Sequence, residues 1–330
     1  MSIREASHAG SWYTSSKSQL SSQLDNWLSA VEAPVQCIGP MSADDEPAAT
    51  LPVAGARVII GPHAGYSYSG PAAAWAYKSW DVSKAKRVFL LGPSHHYYLT
   101  NCALTKCSSY ETPLGNLAID QEVTANLYAT GEFKWMSQST DEDEHSLEMH
   151  LPYIYKILSR NFTSEADFPK LVPLMVGNTS TSSEQLFGRI LAPYLKDPAN
   201  AFVISSDFAH WGLRFHYTYY EAPGKKPIDL RQTDKQPRDP PIHDSIKQVD
   251  FQCMGACEFG SHDEWLQVLS QTRNTVCGRH PIGVVMAGIE EIEKEDPKQR
   301  RFRFVRYERS SEVKKVTESS VSYASAFCVI

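Results

Sequence analysis

The sequence predicts an α/β fold: one domain over 1–330, with a mostly parallel central sheet flanked by helices. Two observations carry that expectation. The runs Arg57–Ile60, Arg87–Leu91 and Ala201–Ser205 are apolar almost without interruption, as strands covered on both faces tend to be. Between them lie stretches with apolar residues three and four apart, so strand and helix alternate along the chain.

The elements follow in order. After Arg57–Ile60 a helix is expected over Pro71–Trp80, with Pro71 in its first turn. A helix over Gln121–Thr130 stops at Gly131, and two more cover Ser146–Leu158 and Ser183–Leu195. Leu171–Val176 reads as a strand whose Pro173 places it at an edge or a bulge. Helices around Ile242–Met254, Asp263–Leu269 and Pro281–Glu293 precede two closing strands, Phe302–Tyr307 and Val321–Val329. The acidic stretch Gly39–Leu51 and the proline-rich Glu221–Pro241 are expected to be mobile surface insertions, at 39–51 and 221–241.

Composition excludes several classes of function. Hydrophobic residues at 42% and charged residues at 21% are ordinary globular usage, which argues against wholesale disorder. A formal charge of -6 over 330 residues lacks the basic excess of a nucleic-acid binder. No apolar run approaches the roughly 18 residues of a membrane span. Met1–Trp12 lacks the basic start and apolar stretch of a signal peptide. Seven cysteines without a CxxC pair read as reduced thiols, which places the chain in the cytoplasm or also the nucleus.

Chemistry gathers where three predicted strands end. The first runs into Gly61-Pro62-His63, the second into Gly92-Pro93-Ser94-His95-His96, the third into Ser206-Asp207-Phe208-Ala209-His210. Ligands of open α/β sheets bind beyond the carboxyl ends of the strands, so three such ends point to one shared site. Neighbours in extended chain face opposite ways, and only one of His95 and His96 can turn toward it. Cys277 precedes a turn and a helix, where the helix start and Arg279 would favour its thiolate. Two imidazoles and a thiolate suit copper, iron or zinc rather than magnesium or calcium. In Asp141–His150 the acids complement a helix start, and His145 and Glu148, three apart, share a face that can orient a ligand or a water. Cys253 and Cys257, four apart, read as core, and Phe215–Tyr220 as an aromatic cluster that packs beside or covers the site. There is no GxGxxG, Walker or GxSxG motif.

The sequence resembles the Memo family along nearly its whole length. The matching blocks are REASHAGSWYTSS (4–16), GPHAGYSYSG (61–70), LGPSHH (91–96), TDEDEHSLEMHLPY (140–153), SSDFAHWG (205–212), CGRHPIGV (277–284) and SSVSYA (319–324). The extra loops suggest a fungal-type member, and Gly39–Leu51, Glu221–Pro241 and the tail around Glu290–Arg301 depart from the pattern. The resemblance implies a fold similar to class III extradiol dioxygenases and metal ligands at His63, His95 and Cys277. It places Asp207 and His210 beside them, Asp207 to orient an imidazole or water and His210 to move a proton. Cys277 stands where the dioxygenases have a carboxylate, so ring cleavage is not the expected reaction. The resemblance implies instead copper or iron, with molecular oxygen reduced to superoxide or related oxidants, and a link to cell motility or invasive filamentous growth. It also implies an alternative: a signalling module that binds phosphotyrosine-containing peptides, with Arg279 and His280 as phosphate contacts. A zinc hydrolase built on the same ligands ranks third.

Overall fold

A computed structural model describes residues 2–330. Nine strands form the main sheet: β1 (Val58–Gly61), β2 (Arg87–Pro93), β3 (Cys102–Leu104), β4 (Lys134–Trp135), β5 (Lys170–Val176), β6 (Asn200–Ser205), β7 (His210–Trp211), β8 (Phe302–Arg309) and β9 (Ser320–Cys328). The helices are α1 (Lys17–Ser29), α2 (Tyr66–Ser79), α3 (Gln121–Ala129), α4 (Gln138–Asp143), α5 (His145–Glu148), α6 (Leu151–Asn161), α7 (Thr181–Lys196), α8 (Ile242–Phe259), α9 (His262–Thr272) and α10 (Arg279–Glu293).

The spatial order is β7-β9-β1-β6-β2-β5-β3-β4, with β8 also paired to β9. The sheet is mixed rather than mostly parallel. Its centre, β1-β6-β2-β5, is parallel, whereas β9 runs antiparallel to β1, β7 and β8, and β3 antiparallel to β5. The C-terminal hairpin β8–β9 accounts for most of the difference, because hairpin-connected strands must be antiparallel.

Burial explains the continuous apolar runs. Ile59, Val88, Leu90 and Val203 pack on one side against Leu24 of α1, Tyr77 of α2 and Ile154 of α6. Val58, Ile60, Phe89, Leu91, Phe202 and Ile204 pack on the other, against Phe187 of α7, Trp265 of α9 and Ile289 of α10. Phe89 and Phe202 stack across β2 and β6 with centroids 4.7 Å apart. Each such ring stabilises the fold by roughly 1.5–3 kcal/mol.

Three expected elements differ. Leu171–Val176 is no edge, since β5 lies between β2 and β3. Pro173 is tolerated because the β3 ladder stops at the Leu104–Leu174 pair, leaving no strand residue opposite the proline on that side. Helix α2 begins at Tyr66, before the expected start, so Pro71 sits inside it rather than in its first turn. The stretch expected as one helix over Ser146–Leu158 is two, α5 and α6, because Pro152 has no N–H for the Glu148 carbonyl.

The two insertions are tied to the body. Met41 N–H donates to Glu258 at 2.8 Å, and Val35 pairs with Ala48 across the base of the first. In the second, Ile228–Asp229 pairs with Tyr219–Tyr220 and Asp229 meets Arg273 at 2.8 Å. Among the described residues no helix is long and apolar enough to cross a membrane.

Candidate metal centre

The parallel neighbours β1, β6 and β2 deliver their following loops to one edge of the sheet. From there His63, His95 and Cys277 converge, each offering a ligand atom within 4.8 Å of the others. Of the adjacent pair it is therefore His95, not His96, that turns inward. Cys277 comes from the other side, just ahead of α10. Its approach depends on Gly278, where a Cβ would sit 2.3 Å from the Ser206 Cβ.

The donors are held firmly. Sγ of Cys277 lies 3.1 Å from Nε2 of His63 and accepts the Asp207 N–H at 3.1 Å. Nδ1 of His63 lies 2.6 Å from Oγ of Ser205. The Glu144 carboxylate grips His95 twice, taking its backbone N–H at 2.6 Å and Nδ1 at 2.8 Å. With Nδ1 of each ring engaged, Nε2 remains as the donor. His95 keeps 27% of its side chain exposed while His63 is buried, so the trio is reached from the His95 side.

Protonation follows the surroundings. Burial, reinforced by His95 and His145, pushes the His63 pKa well below its ordinary value, so the ring is neutral and able to ligate. Burial raises Glu144, but the hydrogen bonds it accepts from His95 outweigh that and hold the carboxyl below the usual carboxylate range. Burial raises the Cys277 thiol well above its usual range, and the Asp207 charge adds to that. The expectation of a thiolate favoured by the helix start and Arg279 is corrected: without a cation beside it the sulfur keeps its proton. Two imidazoles and one sulfur at this spacing fit a soft or borderline cation, whose charge would replace that proton.

Asp207 and His210 lie beside the trio. Oδ1 of Asp207 accepts the His63 backbone N–H at 2.9 Å, so the carboxylate steadies the loop, while the imidazole itself is held by Ser205. Burial raises Asp207, and the nearby His210 opposes the shift. His210 donates Nδ1–H to the Phe208 carbonyl at 3.0 Å, which leaves Nε2 free. Phe215 packs edge-on against His210 at 5.3 Å, and Tyr217, Tyr219 and Tyr220 are buried nearby, so the aromatic cluster packs beside the site.

His145 and Glu148 do not act as a pair. His145 is sandwiched between His95 at 4.3 Å and Trp12 at 4.4 Å, and burial lowers its pKa to about 3. Glu148 turns instead to the N-terminal segment, accepting from Arg4, the His8 N–H and the Tyr13 hydroxyl. His95, Glu144 and His145 form a second close trio. Imidazole lone pairs lie in the ring plane, and stacked rings tilted by 26° cannot both aim at one ion. That trio supports the first rather than duplicating it.

Of the expected phosphate contacts, His280 is committed to other partners and Arg279 is not. His280 spends Nδ1 on Glu184 at 2.6 Å and Nε2 on Asn178 at 2.9 Å. The Arg279 Nε is buried without a hydrogen-bond partner among the described residues. Glu144, Ser205 and Trp12 are the residues that sequence reasoning missed. Only Glu144 left a signal, as one acid within the DEDEH run.

Known proteins resemble this chain along nearly its whole length. A sequence model described as "Memo-like protein" matches residues 4–327. Protein MEMO1 of Xenopus tropicalis is 46% identical over 99% of this chain and 97% of its own length. Protein MEMO1 of Homo sapiens is 44% identical over 97% and 95%, and the memo-1 homolog of Caenorhabditis elegans 39% identical over 98% and 81%. These relatives are animal proteins and lend the expected fungal type no support. A solved structure of an uncharacterized protein from Escherichia coli K12 aligns with 81% of this chain and 98% of that one, at 12% identity and a TM-score of 0.46, too loose a likeness to bear on the site. With the family's pattern running through nearly all of its length, this chain belongs to the Memo-like protein family.

Proposed function

We propose that the protein is a metal-dependent redox protein that binds copper or iron and reduces molecular oxygen to superoxide or related oxidants. The observation that carries the reading is the convergence of His63, His95 and Cys277 within 4.8 Å at the open edge of the sheet. A bound copper or iron ion would supply one-electron transfer to oxygen, which no side chain here can perform. The chain's own residues do the rest. His63 and His95 would offer imidazole nitrogens at Nε2. Cys277 gives up its thiol proton on binding and contributes a soft ligand that favours a reduced metal. His210, with Nδ1 committed to the Phe208 carbonyl, can accept or deliver a proton at Nε2 near the site. Asp207 keeps the His63 loop in register with Cys277. The link to cell motility or invasive filamentous growth belongs to the same proposal.

Oxygen consumption and superoxide formation by the copper-, iron- and zinc-loaded protein test it in one series with a common reductant. Turnover with copper or iron and none with zinc is expected. Equal inactivity of all three would overturn the redox reading.

A further inference from the structure

Ligation requires more of an imidazole than proximity: the nitrogen that faces the metal must carry the lone pair, so the proton must sit on the other one. The hydrogen bonds around the trio dictate where that proton goes.

At His63 the decision is made by Ser205. Its hydroxyl donates to the Ser146 carbonyl at 2.8 Å, and a hydroxyl has one proton. Toward His63 it can therefore only accept, and the 2.6 Å contact must be an Nδ1–H donated to Oγ. The Ser146 carbonyl needs this donor. Across the break between α5 and α6, Met149 N–H goes to His145 and His150 N–H to Leu147, so the backbone passes Ser146 by. At His95 the decision is made by Glu144, whose carboxylate can only accept, so Nδ1 again donates. Ser146 is fixed from its other atoms as well. Its N–H reaches Glu144 at 2.8 Å and its hydroxyl the Pro93 carbonyl at 2.7 Å. Gly92 allows that approach, since a Cβ there would lie 2.6 Å from the Ser146 hydroxyl.

We infer that Glu144 and Ser205, joined through Ser146, are positioning residues that hold His63 and His95 as Nδ1–H tautomers, with both Nε2 lone pairs turned to the site. The purpose rests on the metal reading; the tautomers do not. One turn of chain thus prepares both imidazoles, and His63 is buried at 2% exposure. The contact between Cys277 and Nε2 of His63 at 3.1 Å is compatible with this form, since the thiol can donate its one proton there or to the Asp207 carbonyl at 3.5 Å.

The test is long-range proton–nitrogen correlation on the full, metal-free chain with nitrogen-labelled histidine, assigned with His63→Gln and His95→Gln. The expected result is Nδ1–H for both rings at neutral pH. Ser205→Ala should release His63 from that form and Ser205→Thr should keep it. Glu144→Gln, whose amide can donate, should release His95 and weaken copper binding roughly 10–100-fold. Either ring found as Nε2–H in the wild type, or tautomers unchanged in Ser205→Ala, would overturn the inference. The serine pair keeps the test decisive even where Glu144→Gln does not fold. Because the tautomers are read without metal, a wild type with both rings as expected but no copper affinity would uphold this inference and sink only the redox reading.

Discussion

At the scale of single residues, Glu148 shows how position in space overrides position in sequence. Three residues after His145, it would serve a shared helix face, yet the helix is a single turn and the two side chains diverge. Glu148 takes its partners from a segment about 140 residues away, holding Arg4, the His8 N–H and Tyr13. Burial raises its pKa, but the His8 bond and the Arg4 charge prevail and bring it to about 2. A carboxyl with a depressed folded pKa stabilises the fold fully above its unfolded pKa and loses that contribution as pH falls. Between roughly pH 4.5 and 2 the loss should be on the order of 3 kcal/mol. Urea denaturation at pH 7 and pH 3 should therefore show Glu148→Gln less stable at pH 7 and less sensitive to acid. A variant with the wild-type pH dependence would contradict the assignment. The candidate ligands His63 and His95 stood out because strand ends, turn residues and ligand-type side chains coincide there, and Cys277 because it precedes a turn and a helix. Ser205 and Glu144 were not, because a serine at the end of a strand and an acid in an acidic run look ordinary until their partners are known.

At the scale of elements, α7 and α10 approach so closely that glycine is needed on both. A Cβ at Gly188 would meet the Gly288 nitrogen at 2.7 Å and the Ala287 Cβ at 2.8 Å, and the first of these is backbone that cannot rotate away. Gly188→Ala should cost about 1–3 kcal/mol through overpacking, outweighing the modest gain of alanine in a helix. Thermal unfolding would register it as a lowered midpoint, and an unchanged or raised midpoint would mean the helices can part without cost. Most elements were readable from periodicity, and their centres agree with the structure. The misreadings cluster at prolines. Pro71 lies within a helix, Pro152 splits one, and Pro173 sits in a central strand, because proline marks a missing N–H without saying whether a partner was waiting for it.

At the scale of the molecule, the parallel centre of the sheet is covered on both faces, and its open edge carries the candidate site. The antiparallel margin was legible in part, since the two closing strands follow one another without an intervening helix, whereas the short β3 and β7 left no apolar run to read. Both insertions are anchored to the body, 39–51 through Glu258 and 221–241 through Tyr219–Tyr220 and Arg273. The stack of Trp12, His145 and His95 joins the N-terminal segment to the site, so the whole chain contributes to one edge. Whether this edge is a metal centre with Cys277 as a ligand is decided by titration of the purified chain with copper and with iron, wild type beside Cys277→Ser. One tightly bound ion per wild-type chain is expected, with a marked loss of affinity in the variant at unchanged thermal stability of the metal-free protein. Equal affinity in the two, or no binding by the wild type, would contradict it.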